Sequence, residues 1–439
     1  MSDDLLDRHR RVMPRWLNLF YEEPIEIVSG QGRTVTDSQG RSYLDFFGGI
    51  LTTMTGHSVP EVVEAIRSQA GRVLHTSTLY LIRPMVDLAE RIAGLSGIDD
   101  AKVFFTNSGS EANDTALMLC CGIRRSNQVL ALRHSYHGRS FATMATTGIR
   151  NWSSSSLTPV NVSYVHGGYR LRSPFRDLPD EEYIAACVED LRDVIATTTA
   201  GDVACMIAEP IQGVAGFAVP PDGLLGAFER VLDEYGILLV SDEVQTGWGR
   251  TGRHFWGYQA HDVTPDLLTF AKGLGNGLAI GGIVGRADLV DSVTANSIST
   301  FGGNPLATAG ALANLEYLLS NDLQANALER GSQLLAHLLP LEATFDMIAE
   351  VRGRGLMIAV ELVHPATRDP FPEAAAATLE ESRERGLLIG RGGVAANVLR
   401  IAPPMSVTAE EVDRAGEILA DSLATVSLLA ARSIQAASG

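Results

Sequence analysis

The chain has 439 residues, 45% of them hydrophobic and 20% charged, with four cysteines and a formal net charge of −17. That length and apolar fraction allow a large core divided over two or three domains. The acidic balance argues against nucleic acid or an anionic membrane as partner, since both reward basic patches, and no run approaches the roughly 18 uninterrupted apolar residues of a membrane helix.

The opening "MSDDLLDRHRRVMPRW" carries acids first and lacks a signal-peptide core. Cys120, Cys121, Cys187 and Cys205 sit in apolar contexts without CxxC spacing. They read as reduced core thiols, and the expected location is cytoplasmic. Residues 1–60 include "PIEIVSGQGRTVTDSQGRSYLDFFGGI", which predicts short strands with turns at Gly30–Gly32 and Gln39–Gly40. From 61 to 325, helical periods alternate with short apolar strands. "KVFFTN" (102–107) precedes a helix in "SEANDTALMLCCGIRR". "VLAL" (129–132), "ACMIAEP" (204–210), "GILLVSDEV" (236–244), "LLTFAK" (267–272) and "GGIVG" (281–285) read as further strands, and "GLLGAFERVLDEYG" as a helix. "NWSSSSLTP" (151–159) reads as a surface loop. Beyond the helical "PLATAGALANLEYLL" (305–319), strands at "LMIAVELV" (356–363), "LLIG" (387–390) and "VLRIAP" (398–403) alternate with helices. The expected fold is α/β: a mostly parallel sheet wrapped by helices over 61–325. A smaller α+β domain would combine the N-terminal segment 1–60 with residues 326–439.

Open parallel sheets place ligands at the carboxyl ends of their strands. Asn107 to Ser110, Glu209, Asp242, Gln245 and Lys272 all fall there. In "TNSGSEAND" a strand runs into Ser108-Gly109-Ser110 and a helix begins at once, a terminus suited to a phosphate or to an ordinary cap. The P-loop pattern is absent, and "GLGNG" fails the dinucleotide fingerprint. Asp242 follows a run of apolar residues and Ser241, so its carboxylate needs a cationic or hydrogen-bonding partner. No His or Cys lies at ligand spacing beside it, and no metal is expected. Lys272 ends an apolar strand and is followed by alternating glycines. A solvated lysine before a glycine turn explains that pattern by itself. Lysine, carboxylate and phosphate cradle together fit pyridoxal 5′-phosphate, which needs a desolvated amine for its aldehyde and a carboxylate at its ring nitrogen. Tyr136 of "HSYHGRS" and Val244 could cover the ring faces.

The motifs "NSGSEAN", "YHGRS", "AEPIQG", "SDEVQTGWGRTG", "TFAKGLGNG", "STFGGNPLA" and "LRIAPP", in that order across residues 40 to 405, resemble those of the class III aminotransferases, fold type I of the pyridoxal-phosphate enzymes. "YLDFFGGI", "DLPDEEYI" and "RIAPPMSVTAEEVD" are most similar to the alanine–glyoxylate and 3-aminoisobutyrate–pyruvate branch. The resemblance implies that Lys272 forms the Schiff base and shuttles the proton, while Asp242 binds the pyridine nitrogen. Gln245 would lie near the phenolic oxygen, with Tyr136 stacked on the ring. Ser108, Gly109 and Ser110 would hold the phosphate, with Thr300 contributing from a second subunit of a homodimer or a dimer of dimers. His137 falls in the cofactor-binding stretch, although His134 and His137 both read first as hydrogen-bonded structural residues. Glu209 would sit beside Asp242, and Arg400 would grip a substrate carboxylate.

Two positions bear on the substrate. The glutamate that gates the arginine in the ornithine and 4-aminobutyrate branches is Val214 here, which favours small keto acids such as pyruvate or glyoxylate. Arg139 matches an arginine that holds a distal carboxylate in glutamate-using branches, which keeps 2-oxoglutarate open; a surface arginine is the plain alternative. The expected activity is ping-pong transfer from an amino acid or ω-amine donor to a keto acid, with epimerase, decarboxylase or aminomutase chemistry as the rival. Trp248 and Trp256 read as packing or entrance residues, and Arg250 and Arg253 as surface charges.

Overall fold

The computed structural model describes residues 4–438, with side chains through residue 430. Residues 1–3 and Gly439, the outer ends of the predicted 1–60 and 326–439 segments, lie outside the described residues. In chain order, β1 (Ile27–Gln31), β2 (Thr34–Asp37) and β3 (Ser42–Asp45) form an antiparallel meander. Gly32 at φ 58° and Gly40 at φ 81° sit at its two turns, a left-handed backbone that glycine adopts without a Cβ penalty.

The central sheet contains β4 (Ala101–Thr106), β5 (Gln128–Leu132), β6 (Asn161–Val165), β7 (Cys205–Ala208), β8 (Leu238–Asp242), β9 (Leu267–Phe270) and β10 (Gly281–Arg286). Their order is β4-β10-β9-β8-β7-β5-β6. The pairs among β5 to β9 are parallel, whereas β10 is antiparallel to both β4 and β9. It follows that every strand except β10 ends on one edge. Every residue of β7 and β9 is buried, which is why these strands read as unbroken apolar runs. β6 was not among the predicted strands. Its "NVSYV" is polar at alternate positions and lies at the edge of the sheet, where one buried face suffices. The preceding 151–159 stretch begins in the short 3₁₀ turn Arg150–Trp152, is otherwise irregular, and is largely exposed, as expected of a surface loop.

A second sheet comprises β11 (Ile348–Arg354), β12 (Met357–Leu362), β14 (Gly390–Gly392) and β15 (Val398–Ile401), in the order β11-β12-β15-β14. β13 (Leu387–Leu388) instead pairs in parallel with β3. The predicted "LLIG" strand is thus shared between two sheets, and this tie brings the N-terminal meander onto the C-terminal segment. At the crossover, a Cβ on Gly390 would stand 2.2 Å from the Phe47 ring.

The helix Leu224–Tyr235 buries Leu224, Leu225, Phe228, Val231 and Leu232 on one face, the spacing of a 3.6-residue period. Trp248 and Trp256 are fully buried with ring centroids 4.6 Å apart, so both are packing residues. Arg253 is exposed as expected, but Arg250 is not. Only 2% of Arg250 is accessible, and it donates to the carbonyl of Pro403. Burial pushes its guanidinium down to about 9. The loop 244–252 folds inward, and the Pro403 carbonyl supplies the polar partner that an interior arginine requires.

Candidate active site

The edge where the parallel strands end holds a cavity of about 350 Å³. β4 delivers Ser108, Gly109 and Ser110 to it at the start of the helix Gly109–Arg124. Ser108 caps that helix, its Oγ accepting from the Glu111 amide at 3.2 Å. The first turn of a helix leaves amides unpaired and carries the positive end of the dipole, so this corner suits an anion. Space is kept by two glycines. A Cβ on Gly109 would come 3.0 Å from Val244, and one on Gly138, at φ 144°, would come 2.5 Å from Ser110 Oγ. The amide of Arg139 donates to that same Oγ at 3.1 Å, which fixes the Ser110 hydroxyl.

β8 ends in Asp242, a buried carboxylate. Its Oδ2 accepts from Asn113 Nδ2 at 2.8 Å and faces His137 Nδ1 at 2.7 Å, while Oδ1 accepts from the Val244 amide at 3.1 Å. A carboxylate neighbour assigns the His137 proton to Nδ1; its buried Nε2 has no partner. Asn113 is itself oriented by Thr269 Oγ1, which donates to Asn113 Oδ1 at 2.6 Å. β7 leads to Glu209, whose two oxygens accept from the Tyr136 and Gly213 amides, each at 2.8 Å. Desolvation holds the Glu209 carboxyl above its ordinary range, with Asp242 pushing the same way and His137 opposing.

β9 leads to Lys272, also in the cavity wall. Desolvation lowers its amine to about 8; the nearby Asp242 and Glu209 charges oppose that fall, and Arg400 assists it. The lysine is in a short 3₁₀ turn after the strand, not in the strand as the sequence suggested. Gln245, Val244, Tyr136 and His137 complete the predicted residues that line the cavity. Arg400 stands one hydrogen bond behind them, its Nη2 donating to Gln245 Oε1 at 2.9 Å. Its guanidinium lies 4.5 Å from the Phe217 ring centroid and 5.3 Å from that of Phe47. Among the described residues no carboxylate pairs with it, and its Nε has no partner. Burial lowers this guanidinium to about 10, with Glu209 opposing. Gly213 admits the Gln245 amide, which would meet a Cβ there at 2.4 Å.

Arg139, Thr300 and His134 lie outside the wall of this cavity. The Arg139 side chain is exposed and stacks 5.3 Å from the Trp16 ring centroid. Thr300 is exposed and outside this chain's own cavity wall. His134 packs edge-on against Tyr169, and burial pushes its imidazole down to about 4. Sequence reasoning missed Asn113, Thr269, Phe47 and Phe217. Asn113 had a usable signal, since it stands three residues after Ser110 and so on the same helix face. The two phenylalanines had none, because they meet Arg400 only through tertiary packing.

An anion cradle, a partly neutral buried amine and a hydrogen-bonded carboxylate fit the pyridoxal phosphate predicted from the sequence. Among the described residues no group of His, Cys, Asp and Glu could hold a metal ion.

The sequence matches the family model described as Aminotransferase class-III over residues 20–423. The mitochondrial alanine–glyoxylate aminotransferase 2 homolog 2 of Arabidopsis thaliana is 38% identical, with 94% of this chain and 85% of that protein covered. The leucine/methionine racemase of Thermococcus litoralis is 34% identical, with 97% and 96% covered. Among solved structures, an amine transaminase from an uncultivated Pseudomonas species in its PLP-bound form superposes with a TM-score of 0.86 at 30% identity, covering 92% of this chain and 95% of that one.

Proposed function

Because the chain belongs to the class-III aminotransferase family, whose members use pyridoxal 5′-phosphate on amino and keto acids, we propose that it passes an amino group to a small keto acid by a ping-pong mechanism. Pyruvate or glyoxylate is favoured as acceptor, with 2-oxoglutarate less so. The donor is an amino acid or an ω-amine. The observation that carries this reading is Arg400: a buried cation with no carboxylate partner among the described residues, one hydrogen bond from the cavity that holds Lys272. A buried charge without a partner is costly, and a substrate carboxylate would supply the missing one.

The cofactor supplies an aldehyde that captures amines and a ring that absorbs the electron pair released at the amine-bearing carbon. The chain's residues do the rest. Ser108, Gly109 and Ser110 would hold its phosphate. Asp242, steadied by Asn113 and His137, would keep a proton on its ring nitrogen. Tyr136, anchored through its amide to Glu209, and Val244 would pack against the ring, and Gln245 would lie near its phenolic oxygen. Lys272 would carry the cofactor and serve as the base that takes and returns the proton at the amine-bearing carbon; an amine near pKa 8 is suited to both directions. Val214 in place of an acid leaves Arg400 free in both half-reactions.

A homodimer follows from the same reading. Thr300 is exposed, and Ile298 and Phe301 beside it are 57% and 61% accessible, which supports a second copy covering this stretch and receiving Thr300 at its phosphate. Free thiols suit a reducing compartment such as the cytoplasm; no described helix is long and apolar enough to cross a membrane. A panel of amine donors against pyruvate, glyoxylate and 2-oxoglutarate tests the proposal, and failure of all three acceptors would overturn it. Epimerisation is the second reading, favoured by the racemase relative; loss of optical activity without a keto acid would establish it.

A further inference from the structure

The lysine turn has a left-handed residue at each end. Lys272 adopts φ 41° and Asn276 φ 45°, on either side of the 3₁₀ turn Lys272–Gly275. Asparagine visits that region readily, but a lysine does not, so the Lys272 conformation persists only where its surroundings hold it. What holds it comes from the helix Pro305–Ser320. There Asn314, fully buried, donates from Nδ2 to the carbonyls of Gly273 and Leu274 at 2.9 and 3.0 Å. Its Oδ1 accepts from Thr55 Oγ1 at 2.6 Å. The Thr55 amide donates to Asn276 Oδ1 at 3.1 Å, and Asn276 Nδ2 donates to the Gly56 carbonyl at 2.9 Å. The hydrogen bonds therefore close a ring through Asn314, the lysine turn, Asn276 and Thr55. The same N-terminal stretch also reaches Arg400. The Phe46 carbonyl accepts from the Ala402 amide at 2.7 Å, and the Phe47 ring lies over the guanidinium.

We propose that Asn314 is a positioning residue for Lys272: it locks the left-handed turn that presents the lysine and, through Thr55, ties that turn to the segment packed on Arg400. The inference rests on the reading of Lys272 as the lysine that carries the cofactor. An amide fits this place because one nitrogen offers two donors to two adjacent carbonyls while its oxygen faces a hydroxyl. Aspartate of the same shape lacks those donors, and alanine leaves the Leu274 carbonyl and the Thr55 hydroxyl without a partner in the interior and the Gly273 carbonyl with only the Asn276 amide, at 3.3 Å. The turn then relaxes toward other donors, and the amine moves away from its working position.

The test uses N314D, N314A, T55V and the conservative T55S in the full chain. In the Asn314 variants kcat is expected to fall about tenfold to a hundredfold, with KM for the keto acid little changed, because misplacement by about 1 Å carries losses of that order. The cofactor Kd rises, and the pH midpoint for amine-reagent labelling of Lys272 shifts in the cofactor-free chain. T55V moves all three quantities in the same direction by less, and T55S restores them. Folded Asn314 variants with kcat, cofactor Kd and labelling midpoint within about twofold of the parent overturn the inference, whatever their melting temperature. If the Asn314 variants do not fold, equal values for T55V and T55S overturn it. Borohydride trapping in the parent separates the two levels: no label at Lys272 removes the assignment beneath the inference, whereas label at Lys272 with unaffected variants removes the inference alone.

Discussion

Arg400 offers a test in which function should fall while stability stays put. Burial lowers its guanidinium from 12.5 to about 10, which corresponds to roughly 3 kcal/mol against the charged form. The contacts with the Phe47 and Phe217 rings and the Gln245 hydrogen bond are worth about 3–5 kcal/mol together by ordinary magnitudes, roughly what that burial costs. R400M keeps a long side chain between the two rings but removes the charge. Its fold is therefore expected to be about as stable as the parent. The reaction should suffer instead. Losing one partner of a buried, charge-assisted pair costs about 2–5 kcal/mol, so kcat/KM for pyruvate should fall at least about thirtyfold. Steady-state kinetics across pyruvate concentrations, beside thermal melts of the same samples, reads both effects. A melting temperature several degrees lower with unchanged kcat/KM would refute the reasoning. Arg400 would then be a structural pin, and the carboxylate site would lie elsewhere.

The buried amine of Lys272 sets a pH signature. In the cofactor-free chain its labelling by an amine reagent should be half-maximal near pH 8, where burial places it, instead of near its ordinary 10.5. The sign follows from the lowered value: between those two pH values the unfolded chain holds more protons, so this group's penalty to the fold is full below pH 8 and fades as pH rises toward 10.5. A labelling midpoint near that of an exposed lysine would contradict a desolvated site. K272A should fold and bind cofactor without turnover, and retained transamination in a purified sample would reassign the lysine. Mixing inactive K272A chains with T300A chains should restore sites that combine an intact Lys272 with the neighbour's Thr300. No gain over the separate variants would remove the cross-subunit contact. R139A should change pyruvate kinetics less than about twofold, as surface substitutions generally do; a loss confined to 2-oxoglutarate would give Arg139 the distal carboxylate.

The sequence by itself determined the sheet and most of what stands at its edge. Strands buried on both faces leave unbroken apolar runs, so β7, β8 and β9 were legible, and a polar residue ending each run marked Glu209, Asp242 and Lys272. The ordered motifs pointed to the family for the same reason: each is a strand end or helix start whose chemistry is local. Tertiary structure decided whatever depends on residues far apart in the chain. Arg250 read as a surface charge because nothing nearby reveals the Pro403 carbonyl that it meets. β6 went unread because an edge strand with one wet face carries little apolar signal. The phenylalanines around Arg400 and the Asn314 clamp on the lysine turn join segments at least 40 residues apart. Local periodicity reports which face a residue buries, but only the closed fold decides which partner it meets there.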